Sequence, residues 1–150
     1  MILYVDTSAL GSAYLGDEAD ALWIGDLLFN GADPVVTCEL AEVELASLLA
    51  RAQRDGRIDR AGVMDRLEAY GAHTADDGPL GIVPLTRQTL RQAQELVLHA
   101  SVRTLDALHL AAARILAESG DDDVVILTRD RRQAQAAAAL GFALHPRSTG

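Results

Sequence analysis

No lysine occurs in this sequence, and all 13 of its basic residues are arginines. That absence excludes chemistries that need a lysine ammonium at a fixed place: the phosphate-binding P-loop, the Schiff base and the phosphorylation site of receiver domains. Cysteine is nearly absent as well. The single Cys38 permits neither an intramolecular disulfide nor a cysteine-based zinc site, and no nucleophile motif surrounds it, so it reads as a half-buried small residue. Aromatics make up 4% of the chain against 49% hydrophobic residues, which leaves Ala, Leu, Val and Ile to fill the core. No apolar run approaches the length of a membrane span. The run Ile2 to Val5 is too short, and ends too soon at Asp6, to be a secretory signal, so a cytoplasmic protein with no membrane partner is expected. Positive charge is also scarce. A formal net charge of −9 argues against broad electrostatic attraction to nucleic acid, so any such binding needs a local arginine patch or a metal ion.

What is present fits one domain over residues 1–150, long enough for a single core. Short β-type runs alternate with helical runs, the pattern of an α/β fold with a parallel sheet. The spacing predicts strands at Ile2–Val5, Pro34–Thr37, Gly81–Pro84, Val124–Leu127 and Phe142–His145. It predicts helices over roughly 17–29, 39–54, 60–75, 86–99, 104–118 and 131–140, punctuated by Gly31, Gly56, Gly78, Gly120 and Gly141. Asp121-Asp122-Asp123 reads as a solvated turn.

In open parallel sheets ligands bind beyond the carboxyl ends of the strands. Asp6 follows the first strand directly, and Asp130 follows the fourth after Thr128-Arg129. Each can equally be a helix cap, Asp6 for the helix after it and Asp130 for the last one. Glu44 lies in a helix whose buried stripe is Ala41, Leu45, Leu48, Leu49 and Ala52. At about 100° per residue, Glu44 falls about 40° from Leu48, while Glu42 and Glu39 fall about 120° and 180° away. Glu44 therefore borders the core and needs a partner, either a metal, a hydrogen bond or an arginine in an ion pair. Asp106 occupies the first turn of a nearly all-apolar helix, where the dipole favours an anion but burial demands compensation. His109, one turn on, reads first as a satisfied core histidine that can also hydrogen-bond a ligand carboxylate. Arg129, Arg131 and Arg132 form either a basic rim for phosphate oxygens or a solvated face.

Four crowded carboxylates repel one another and are stable only with some protonation or a bound cation. Hard divalent ions prefer such oxygen ligands, and one can activate a water for attack on a phosphodiester.

The runs Asp6-Thr7-Ser8-Ala9-Leu10, Thr37 through Val43-Glu44-Leu45, Arg103-Thr104-Leu105-Asp106-Ala107-Leu108-His109-Leu110-Ala111-Ala112, and Leu127-Thr128-Arg129-Asp130 with Ala137 to Gly141 resemble the ordered motifs of PIN domains. More narrowly they resemble the VapC toxins of type II toxin-antitoxin systems. The likeness runs from residue 2 to about residue 145, and its specificity lies in four motifs in order. The resemblance implies a three-layer α/β/α fold around a mainly parallel five-stranded sheet, Mg²⁺ or Mn²⁺ dependence, and endonucleolytic cleavage of RNA. It implies Asp6, Glu44, Asp106 and Asp130 as catalytic metal ligands, with Thr7, Ser8 and Thr128 as supporting hydroxyls. It further implies a homodimer and a small antitoxin partner that covers the site. Arg131, Arg132 and Gln133 stand where some members carry another acid, which leaves the number of ions open.

Two other readings compete. A dehalogenase-type phosphatase needs a second acid two residues after Asp6, where Ser8 stands. A PIN fold that binds RNA or protein without cleaving it is the stronger rival, disfavoured because a silent module has no physical reason to keep four mutually repelling acids.

Overall fold

The computed structural model describes residues 1–148. In chain order the elements are β1 (Ile2–Val5), α1 (Thr7–Leu15), α2 (Ala21–Asn30), β2 (Val35–Cys38), α3 (Leu40–Arg54), α4 (Arg60–His73), β3 (Leu80–Val83), α5 (Arg87–His99), α6 (Thr104–Ser119), β4 (Val124–Leu127), α7 (Arg131–Ala139) and β5 (Ala143–Leu144). The five strands form one sheet in the order β3-β2-β1-β4-β5, and every neighbouring pair is parallel.

Side chains alternate across a strand, so β1 feeds both faces of the sheet. Leu3 and Val5 point into a core built with Leu10, Ile24, Leu45, Leu49 and Tyr70 of α1 to α4. Tyr4 points into a second core with Leu96, Leu110, Ala111 and Ala137 of α5 to α7. The result is the expected three-layer α/β/α arrangement. With few aromatics, the second layer relies on alanine: Ala107, Ala111, Ala112 and Ala113 are all fully buried, letting α6 lie close to the sheet. Among the described residues no helix is long and apolar enough to cross a membrane.

The topology places the site. From β1 the chain crosses through α1 and α2 to β2 on one side, while β4, on the other side of β1, leads through α7 to β5. The carboxyl ends of β1 and β4 therefore diverge, which is the switch point where a crevice opens. Their register pairs Val5 with Leu127. One step further along each strand, Asp6 comes to lie beside Thr128.

Several boundaries differ from expectation. Helix α1 was not delimited by periodicity because Thr7, Ala9, Leu10, Gly11, Ser12, Tyr14 and Leu15 are all buried, leaving no polar stripe to read. Helix α2 starts at Ala21 rather than near residue 17. Asp17 is held by Arg57 and Glu18 by the Ser12 hydroxyl, so the segment before α2 serves as a tether. Strands β2 and β3 shift by one residue against the prediction, since Pro34 and Pro84 have no N–H for a ladder. β5 is shorter, two residues only.

At Gly11 α1 packs against α3, where an added Cβ would stand 2.4 Å from Leu48 Cδ1. At Gly78, between α4 and β3, an added Cβ would stand 2.1 Å from the His73 carbonyl oxygen, and backbone cannot swing aside. Gly78→Ala is therefore expected to lower stability by about 1–3 kcal/mol. Gly71→Ala, inside α4 with open space around it, is expected to raise it by about 0.5–1 kcal/mol. Urea midpoints of the two variants check both signs.

Candidate active site

Asp6 is 5% exposed and carries two roles at once. Its Oδ1 accepts from the Ala9 N–H at 3.1 Å, capping α1, and from the Ser8 hydroxyl at 2.6 Å. Its Oδ2 accepts from the Thr128 hydroxyl. Capping and site placement are thus one geometry at this residue, which is why the sequence could not separate them. Burial raises the Asp6 pKa above the ordinary carboxylate value, against the lowering effects of Ser8, Thr128, the charge of His109 and the Ala9 N–H.

The hydroxyls that hold Asp6 also join the two strand ends. Ser8 Oγ accepts from the Arg129 N–H at 2.8 Å, and Thr128 Oγ1 accepts from the Asp130 N–H at 3.0 Å. From the far side, Ser148 Oγ accepts from the Thr128 N–H and donates to the Ile126 carbonyl. The same tail lays His145 against the Trp23 ring, nearly parallel at 13°, and Arg147 over it at 4.9 Å.

Glu44 borders the core as its helical angle required, with Glu39 and Glu42 exposed. The structure gives it a histidine rather than an arginine as partner. Glu44 Oε1 lies 2.6 Å from His109 Nε2 and accepts from the Thr7 hydroxyl at 2.8 Å. His109 is buried, 3% exposed, and its Nδ1 faces the Tyr4 hydroxyl at 3.0 Å and Cys38 Sγ at 3.5 Å. Burial opposes a charge on this ring, but the hydrogen bonds to Cys38 and Glu44 and their charges raise its pKa to about 10. These contacts favour the imidazolium form. Cys38 is fully buried rather than half-buried, because α6 brings His109 over it.

Asp106, in the first turn of α6, is half-buried. Burial raises its pKa, and the charges of Asp130 and Asp6 raise it further, against Arg103 and His109. Asp130 caps α7, its Oδ1 accepting from the N–H groups of Arg132 at 2.7 Å and Gln133 at 3.3 Å. The fold thus puts Asp106 in the field of both Asp6 and Asp130 at the β1/β4 crevice. Glu44 joins them through His109, whose charge also reaches Asp6 and Asp106.

This donor set fits a hard divalent cation. It consists of carboxylate oxygens whose mutual repulsion already burdens Asp106, and such an ion needs only a few carboxylates when water or phosphate completes its shell. Among the described residues, no three or more His, Cys, Asp or Glu side chains stand close enough together to hold a metal ion, so the fit lies in the chemistry of the donors and not in a preformed cage.

The basic rim needs one correction. Arg129 is not a free phosphate arm: its guanidinium is 2.6 Å from Asp20 and its side chain is only 18% exposed. Arg131 and Arg132 are exposed. The sequence reading missed Arg103, whose charge reaches Asp106. Its signal was available, since a cation at a helix N-cap has the wrong sign for the dipole and Arg103 makes no side-chain cap.

The PIN domain family model matches residues 3–139. Two curated relatives from Mycobacterium tuberculosis (strain CDC 1551 / Oshkosh) are similar over nearly their full lengths. Ribonuclease VapC47 is 32% identical, with 94% of this chain and 93% of the relative covered; ribonuclease VapC45 is 28% identical, with 97% and 95% covered. Among solved structures, Mycobacterium tuberculosis VapC20, described as a Sarcin-Ricin loop cleaving toxin, superposes with a TM-score of 0.68 at 19% identity, covering 94% of this chain and 96% of that one. VapBC2 from Rickettsia felis, bound to a DNA fragment from its promoter, gives 0.65 at 13% identity, covering 97% and 98%. At those identities the two structures speak for the fold.

The raised pKa of Asp6 fixes the sign of a pH effect. A carboxyl whose folded pKa lies above its unfolded value contributes stability below the unfolded pKa and loses it as pH rises through the folded one. Ionised Asp6 therefore burdens the metal-free fold at neutral pH, and Asn imitates the protonated acid. In excess chelator, Asp6→Asn is expected to melt higher than wild type at pH 7 by roughly a few degrees, with the difference vanishing as pH falls below about 4. Thermal melts across that range measure it.

Proposed function

This chain belongs to the PIN-domain family, and we propose that its acidic crevice hydrolyses RNA phosphodiester bonds with Mg²⁺ or Mn²⁺, as a VapC-type toxin ribonuclease. The supporting observation is that Asp6 and Asp130, at the ends of β1 and β4, both raise the cost of ionising Asp106. Helix capping accounts for Asp6 and Asp130 singly but gains nothing from their repulsion of Asp106, which a cation would relieve. The names of the similar ribonucleases VapC47 and VapC45 point to RNA as substrate.

In this reading Asp6, Glu44, Asp106 and Asp130 hold the ion and its waters. When bound, the ion supplies Lewis-acid chemistry, lowering the pKa of water and stabilising charge on the leaving oxygen. The chain's own residues supply position. Ser8, Thr128 and the Ala9 N–H fix both oxygens of Asp6, so that carboxylate is already in place when substrate arrives. Thr7 and His109 fix Glu44 in the same way, and the charge on His109 offsets part of the acid cluster. Arg131 and Arg132, exposed at the start of α7, stand where phosphate oxygens of the strand would approach. A protein antitoxin that silences the site and a homodimer as the assembly are what membership of the family leads one to expect.

Purified chain freed of any partner is expected to cleave RNA with Mg²⁺ or Mn²⁺ and to stop in excess chelator. Asp6→Asn should lower the rate by at least about a hundredfold while keeping the fold. Gel analysis of labelled RNA reads both. Cleavage that persists in chelator, or in the variant, would overturn the mechanism, and RNA bound without cleavage would favour the silent-module reading.

A further inference from the structure

We infer that the cleft formed by the loop between α5 and α6, the start of α6, and α7 is a phosphate subsite for the RNA strand, with Arg103 and Arg132 as its anion ligands. This rests on the ribonuclease reading and adds to it the route the strand takes away from the scissile bond. The cleft has a volume of about 620 Å³, and Arg103, Asp106, Arg132, Gln135, Ala136 and Leu140 are among its lining residues. Asp106 is shared with the acidic site, so a strand seated there continues directly from the reacting phosphate.

Three observations favour an anionic ligand. Arg103 and Arg132 are exposed, and neither forms an ion pair with any described carboxylate. Arg103 stands at the N-cap of α6 without capping it, a place where the helix dipole disfavours a cation, so stability does not explain it. The opposite flank of the site provides the contrast. A cleft of about 430 Å³ beside Ser8 is lined by Arg51, Arg57 and Arg129, of which Arg57 is bound by both oxygens of Asp17 and Arg129 is bound to Asp20. A phosphate reaching Arg57 or Arg129 must displace a bound carboxylate; Arg103 and Arg132 form no ion pair, and Asp106 is the one carboxylate among the residues lining their cleft. In a chain of net charge −9, two unpaired guanidinium groups in one cleft beside Asp106 offer a polyanion a local attraction that the chain as a whole does not. Ala136 and Leu140 add an apolar wall for a sugar or base, and Gln135 an amide.

The test is steady-state cleavage of a labelled single-stranded RNA by the full chain with Mn²⁺. Arg103→Ala and Arg132→Ala are each expected to raise KM about tenfold with kcat little changed, and to reduce the slope of log affinity against log salt by about one. Arg91→Ala, the same charge change on the exposed side of α5, should leave KM unaltered. Normal cleavage with unchanged KM and salt slope in both variants overturns the subsite and leaves the ribonuclease reading standing, as does a loss of protein-partner affinity alone. If the wild type cleaves no RNA, the ribonuclease reading fails, and fluorescence anisotropy with the same RNA decides the cleft. Weakened, less salt-dependent binding by the variants supports it, and unchanged binding overturns it.

Discussion

Everything at the carboxyl edge of the sheet depends on keeping one buried carboxylate ionisable between two hydroxyls. Asp6 receives Ser8 on one oxygen and Thr128 on the other, and those hydroxyls in turn take up the backbone N–H groups of Arg129 and Asp130. A single acid thus ties the end of β1 to the end of β4, at the point where their chains part to opposite layers. The parallel register that pairs Val5 with Leu127 makes this possible, because it delivers Asp6 and Thr128 to the same level. The C-terminal tail backs the arrangement through Ser148, braced on Trp23 by His145 and Arg147.

The second element is an internal cation. His109 lies under the acids, hydrogen-bonded to Glu44 and ringed by Tyr4 and Cys38, and its charge reaches Asp6 and Asp106. It offsets part of the repulsion without neutralising it. The residual cost, read in the pKa values that burial raises at Asp6 and that burial and carboxylate repulsion raise at Asp106, is borne by a fold whose two cores are otherwise almost wholly apolar. Concentrating such a cost at one crevice is how a stable domain keeps a reactive site.

Much of the fold was legible because buried parallel strands and amphipathic helices write their periods into the sequence. All five strands and six of the seven helices lie within a few residues of expectation. The seventh, α1, was invisible to periodicity for the reason that makes it useful: it is buried nearly all round, packed against α3 at Gly11, and so carries Thr7 to Glu44. The angle of Glu44 on its helix was readable as well, since it depends only on residues within one turn.

Partners were not readable. Periodicity could say that Glu44 needed one, but only the packing of α6 against β2 made it His109 instead of an arginine. Nor could it tell that Arg129 would turn back onto Asp20 while Arg103 and Arg132 stayed free beside Asp106. The sequence alone determined the α/β class, the strand ends that carry acids and the absence of lysine chemistry, because these follow from local spacing and composition. Which carboxylates share a field, and which arginines remain open to an anion, was decided by tertiary structure, because both depend on distances between segments up to about a hundred residues apart, for which no local period exists.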